Sequence, residues 1–180
     1  MHGKNMELWE ILTSTAVIDW EHKGNFELGE FTVDDRRFVI QIERKNPPGA
    51  FDPSSRFAEV SFWSHGVDGD DAFKSDGRFT SPARVYGIVA NALIDRFSDY
   101  DAFYFSAERR HSEDVKEFEA RTGIYNWAAE RISKRIGADY LENRGITANE
   151  FVVSRKRVSM PGFSNPAKEA LQEFTNRNVT

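Results

Sequence analysis

The first third of the chain alternates apolar and polar residues with a period of two, and the middle shifts to a period near 3.6. In residues 38–43, Phe38, Ile40 and Ile42 fall on one side and Val39, Gln41 and Glu43 on the other. That is a strand with one face on a core. Upstream, Phe26 and Leu28 share a face, and Phe31 and Val33 resume the alternation beyond Gly29-Glu30, where the pattern predicts a bulge. Asp34-Asp35 supplies a tight polar turn, so the whole stretch is predicted as a hairpin. "TAVIDWE" before it predicts a strand, and "MELWEIL" one or two helical turns. "KNPPGAFDPSSR", with its prolines, is a loop. "FAEVSFWS" returns to strand, with Ala58, Val60 and Phe62 on one face and Glu59 on the other.

The period then changes. Ser81 can cap a helix and Pro82 suits its first position; Val85, Ile88, Val89, Ala92, Leu93 and Phe97 follow at helical spacing. "AFYFSA" is a short apolar strand expected at the centre of a sheet. Ser112, with Glu113 and Asp114 behind it, predicts the start of a second helix, which runs to about Ile136 and stops at Gly137. "ADYLE" and "EFVVSRKRV" predict two closing strands around the turn "NRGITAN", and residues 166–174 a short helix in the tail. The expected fold class is α+β: a mixed, mainly antiparallel sheet with a strand-helix-strand-helix unit. Its key expectation is that the strands ending at Ser64 and Ala107 lie side by side and parallel, with the helix from Pro82 crossing between them.

Composition narrows the classes. A chain of 180 residues is expected to form one domain, residues 1–158, with a tail at 159–180 that docks or stays loose. With no cysteine, disulfides, thiolate metal sites and cysteine nucleophiles are excluded, and an intracellular, cytoplasmic protein is the expectation. No run approaches the roughly 18 apolar residues of a membrane span, and the first residues lack a signal peptide's apolar centre. A net charge of −5 with both signs mixed argues against a general nucleic-acid binder. The 15 phenylalanines point to a core of large rings.

Several residues have types and positions that suit chemistry, and each also has a plainer reading. Arg78, Ser81 and Arg84 surround a helix start and suit an anion; the plainer reading is a serine cap with solvated arginines. Glu59 in mid-strand suits a general base, or simply a solvated strand face. Tyr125 suits a general acid, or a ring packed on the sheet with its hydroxyl at the surface. Asp68, Asp70, Asp71 and Asp76 share one loop, but EF-hand spacing is absent, so no metal site is assigned. His65 and His111 each follow a strand end and would share an edge. Arg155, Lys156 and Arg157 are expected to keep the edge of a closing strand soluble.

The order of elements in "FAEVSFWS", "SPARVYGIVANALIDRF", "AFYFSA" and "SEDVKEFEARTGIYNWAAERI" resembles the GCN5-related N-acetyltransferase fold over about residues 57–157. The resemblance implies an acyl-CoA held at the start of the first helix by Arg78, Ser81 and Arg84. It also implies Tyr125 as acid and Glu59 as base. The family's turn carries a Gly-x-Gly or Gly-x-Ala pattern; here "SDGRFTSPAR" has Gly77 alone, and Pro82 removes a donor N–H. The segment from Phe105, Ser106 and Ala107 to Arg121 and Tyr125 is also similar to uncharacterised proteins of tailed bacteriophages. That likeness implies a phage origin and no activity. The broken glycine turn favours a non-enzymatic phage-type protein that binds a host or virion protein, with Phe73 and Phe79 in the 65–79 loop as anchors; the acyltransferase is the alternative.

Overall fold

The computed structural model describes residues 16–64, 82–109, 113–166 and 169. Seven strands form one sheet: β1 (Asp19–Lys23), β2 (Phe26–Val33), β3 (Arg36–Lys45), β4 (Phe57–Ser64), β5 (Ala102–Glu108), β6 (Asp139–Arg144) and β7 (Ala148–Ser154), in the order β1-β2-β3-β4-β5-β7-β6. Every neighbouring pair is antiparallel except β4–β5. Helix α1 (Pro82–Arg96) and a 3₁₀ turn (Phe97–Asp99) join β4 to β5, and helix α2 (Val115–Ile136) joins β5 to β6. The α+β class, the mixed and mostly antiparallel sheet, and the parallel neighbours β4 and β5 are as the sequence led one to expect.

Local chemistry explains these elements. Asp34 and Asp35 both have positive φ (51° and 62°), the conformation a two-residue hairpin turn needs to match strand twist. Helix α2 opens on a capping box in which the Glu117 backbone N–H donates to Asp114 Oδ1 at 2.8 Å and the Asp114 N–H donates back to Glu117 Oε2 at 3.2 Å. The cap is therefore Asp114, and Ser112 lies outside the described residues. Gly137 closes the helix at φ 66°.

The expected bulge at Gly29-Glu30 is absent. The β2–β3 register runs unbroken from Phe26↔Glu43 to Val33↔Arg36. A Cβ on Gly29 would stand 2.9 Å from both Ile18 and the Trp20 ring. The gap in the apolar alternation is thus filled by a ring from the neighbouring strand, with no extra residue in the ladder.

Both helices pack on one face of the sheet. Phe38, Ile40, Ile42, Val60, Phe103 and Phe151 meet Val85, Ile88, Leu93, Ala129 and Ile132 in a single buried cluster. The other face carries a smaller cluster of Phe51, Phe57, Ala102, Leu141 and Val152, against which Val158, Met160 and Phe163 pack. Ser164 bridges to Glu142 through two backbone hydrogen bonds (2.9 and 2.7 Å), which ties part of the 159–180 segment to β6. Pro166 and Glu169 are helical; the remainder of the expected tail helix lies outside the described residues.

The basic run does not decorate an edge. Strand β7 is interior, and Arg155 turns back past its end to donate to the Phe97 carbonyl at 3.0 Å, with its guanidinium 5.0 Å from the Phe97 ring centre. Among the described residues no helix is long and apolar enough to cross a membrane.

Candidate functional site: an opening between two parallel strands

Strands β4 and β5 pair over only four positions, Phe57↔Ala102 to Val60↔Phe105. Both strands continue. β4 runs on to Ser64 beside β3, and β5 runs on to Glu108 beside β7. Beyond Val60 and Phe105, each therefore has a strand neighbour on one side only among the described residues, and the sheet opens near its middle. Buried backbone groups are nearly always paired, so an opening here is the natural place for a guest.

On the helix face, three rings stand where the strands part. Phe62 lies two residues past the last paired position of β4. Its ring centre is 5.1 Å from that of Tyr86 and 6.0 Å from that of Tyr125, and the two tyrosine rings are 5.7 Å apart. Tyr125 is half-buried, placed by α2 against an α1 residue and β4. In the sequence Tyr125 was a candidate acid or a packed ring; the tertiary fold brings it to the opening.

Glu59 sits on the opposite face, paired in register with Tyr104. Its side chain is 43% exposed and 3.6 Å from the Lys45 ammonium. Lys45 is nearer Glu43, at 2.8 Å; that hydrogen bond holds the Glu43 carboxyl below its ordinary range and the Lys45 amine above its own. Tyr125 and Glu59 are thus not neighbours; the sheet stands between them and is interrupted only at the opening.

Arg84 is exposed on α1, 3.7 Å from Asp34. It lines a surface cavity of about 390 Å³ with Phe31, Thr32 and the Glu30–Arg37 ion pair (2.7 Å). Arg78 and Ser81 lie outside the described residues, as do His65, His111, the 68–76 aspartates, Phe73 and Phe79. Among the described residues no group of three or more His, Asp or Glu could hold a metal.

The outer face also holds a group that sequence reasoning missed. The Tyr104 hydroxyl donates to Glu150 Oε1 at 2.6 Å, and Asn143 Nδ2 donates to Glu150 Oε2 at 2.8 Å. Burial first, and then the bond to Glu150, push the Tyr104 phenol up to about 12. Glu150 lies in register with Ser106, the first β5 residue past the last parallel pair. The signal was present as Tyr104 and Ser106, two polar positions alternating within an apolar strand. Nothing in the sequence pairs them with Glu150.

A second tyrosine–glutamate pair occupies the helix face. The Tyr100 hydroxyl donates to Glu27 Oε1 at 2.7 Å, and burial first lifts its phenol to about 12. Around it, Arg96 stands 3.4 Å and His22 3.9 Å from Glu27 Oε2, Arg96 lies 4.4 Å from the Trp20 ring centre, and Arg44 lies 5.6 Å from that of Tyr100.

Comparison with protein-family models, with curated proteins and with solved structures found no match for this chain.

Proposed function

We propose that the chain is an acyl-CoA-dependent N-acyltransferase, or a relative that retains the acyl-CoA site, with a fold of the N-acetyltransferase type. The observation that carries this reading is the parallel β4–β5 pair that stops at Val60 and Phe105 while both strands run on. The two facing strand edges suit an extended chain bearing amides, which can add to a sheet as a short strand does. The pantetheine arm of coenzyme A is such a chain. An acyl thioester at its end would reach the opening between Tyr125 on the helix face and the carboxylates of the outer face.

The reaction follows from that placement. An amine gives up a proton to an outer-face carboxylate, Glu59 in the sequence reading. Its nitrogen then attacks the thioester carbonyl carbon, the N–C bond forming as the C–S bond breaks. The departing sulfur takes a proton from the Tyr125 hydroxyl. A positioned acid of this kind is worth roughly 10²- to 10⁴-fold in rate. Arg84, with Arg78 and Ser81, serves the phosphates at the start of α1.

Thermal unfolding with and without acetyl-CoA tests the reading. At about 100 times Kd the ligand should add roughly 2.7 kcal/mol of stability; no shift would retire the proposal. Because the chain has no cysteine, thiol released from acetyl-CoA can be titrated without background. Tyr125→Phe should keep coenzyme A affinity and lose transfer.

One observation favours a second reading, a non-enzymatic phage-type protein that binds a host or virion protein. Pro82 opens α1 and supplies no N–H, and Gly77 is the only glycine in the preceding turn. Capture from a bacterial lysate by wild type but not by a Phe73→Ala, Phe79→Ala double variant supports it; equal capture by both rejects it.

A further inference from the structure

We infer that Glu150, held by Tyr104 and Asn143, and not Glu59, is the carboxylate that receives the ammonium of the acceptor on the outer face. The inference rests on the acyl-transfer reading above and puts Glu150 in the place the sequence reading gave to Glu59. Three features carry it.

The first is place. Glu150 lies opposite Ser106, the first β5 residue beyond the last β4 pair, so it stands one strand behind the edge of the opening and level with its start. Glu59 lies one step inside the closed part of the pair, at Glu59↔Tyr104.

The second is charge. Lys45 stands 3.6 Å from Glu59, and a fixed ammonium there would repel an incoming one. The two groups that hold Glu150 are neutral donors, a phenol and an amide. They fix its orientation and leave its charge uncompensated.

The third is free capacity. A carboxylate has about four acceptor sites. Tyr104 takes one on Oε1 and Asn143 one on Oε2, so each oxygen keeps a lone pair for a guest. Glu150 is half-buried, enough to strengthen a charge-assisted hydrogen bond, while Ser61, across the opening on the same face, is exposed and leaves the approach clear.

The test measures spermidine binding by calorimetry to the full chain saturated with coenzyme A, at low salt. Wild type should bind it, Glu150→Gln should bind at least tenfold more weakly, and Glu59→Gln should stay within about threefold of wild type. Tyr104→Phe, which frees the carboxylate to turn, should fall between. Circular dichroism and retained coenzyme A affinity establish that each variant is folded. Unchanged spermidine affinity in Glu150→Gln, a larger loss in Glu59→Gln, or no spermidine binding to coenzyme A-loaded wild type overturns the inference. Failure of coenzyme A itself to bind is a different result: it removes the acyl-transfer reading, and this inference with it.

Discussion

On each face of the sheet a tyrosine donates to a glutamate carried by a separate strand. Tyr100 donates to Glu27 at 2.7 Å on the helix face, and Tyr104 donates to Glu150 at 2.6 Å on the outer face. Both phenols are pushed up to about 12, burial being the largest cause in each. What differs is the company. Glu27 is 7% exposed and enclosed by Arg96, His22, Trp20 and Tyr100, so its charge is answered from within. Glu150 is half-buried on the outer face, one strand from the opening, and is held by neutral groups. A bonded buried carboxylate is ordinarily structural; the surroundings, more than the bond, separate a sealed pair from one available to a ligand.

That contrast can be broken in several ways. The largest expected effect is on the sealed face. Phe103 is fully buried, with the rings of Phe97 and Tyr100 4.9 and 5.1 Å away. Phe103→Ala should cost about 3–5 kcal/mol in chemical denaturation, and a loss below about 1 kcal/mol would mean the helix face is not the principal core.

Next comes Gly29, where an added Cβ meets Ile18 and Trp20 at 2.9 Å. Gly29→Ala should cost about 1–3 kcal/mol, and less in a Trp20→Ala background, where the Ile18 contact alone remains. Equal costs in the two backgrounds would show that Trp20 does not fill the place above Gly29.

The two tyrosines sharpen the comparison directly. Tyr100→Phe leaves Glu27 Oε1 buried without its donor, an expected loss of about 1–3 kcal/mol. Tyr104→Phe leaves Glu150 with Asn143 and water, and should cost less. Equal losses would mean that the outer pair is as enclosed as the inner one.

Alkaline pH gives an independent reading. An unfolded chain releases phenolic protons near the ordinary value of 10.0, whereas the folded chain keeps these two until about 12. The folded state binds more protons between those limits, so stability is fully present below pH 10 and falls as pH rises from about 10 to about 12. Denaturation midpoints across that range should decline, and each Phe variant should flatten the decline. An unchanged slope in Tyr104→Phe would show that its phenol titrates like a free one.

The smallest effect belongs to Glu59. Its ion pair with Lys45 is solvent-exposed, and Glu59→Gln should leave the denaturation midpoint within error. A clear loss would make Glu59 a structural residue rather than a solvated one.

The sequence by itself determined the elements. Period-two runs such as Phe38-Ile40-Ile42 and the helical spacing of Val85 to Phe97 state which side of each segment is apolar, because burial rewards nothing else so strongly. Prolines and Asp34-Asp35 marked the breaks. The element order also led to parallel neighbours β4 and β5, since a helix between two strands needs a crossover. Tertiary structure alone decided what faces what. Gly29 looked like a bulge because Trp20, which covers it, comes from another strand. Arg155 looked like edge decoration because β7's place between β5 and β6 is a matter of sheet order, which no local pattern encodes. Glu59 was legible as a polar group on one strand face and Tyr125 as a residue of the second helix, yet only the sheet sets them on opposite sides. The Tyr104–Glu150–Asn143 group joins β5, β7 and β6 across 46 and 7 residues of chain. Strand pairing at that range is fixed by the free energy of the whole sheet, so its chemistry appears only once the sheet has formed.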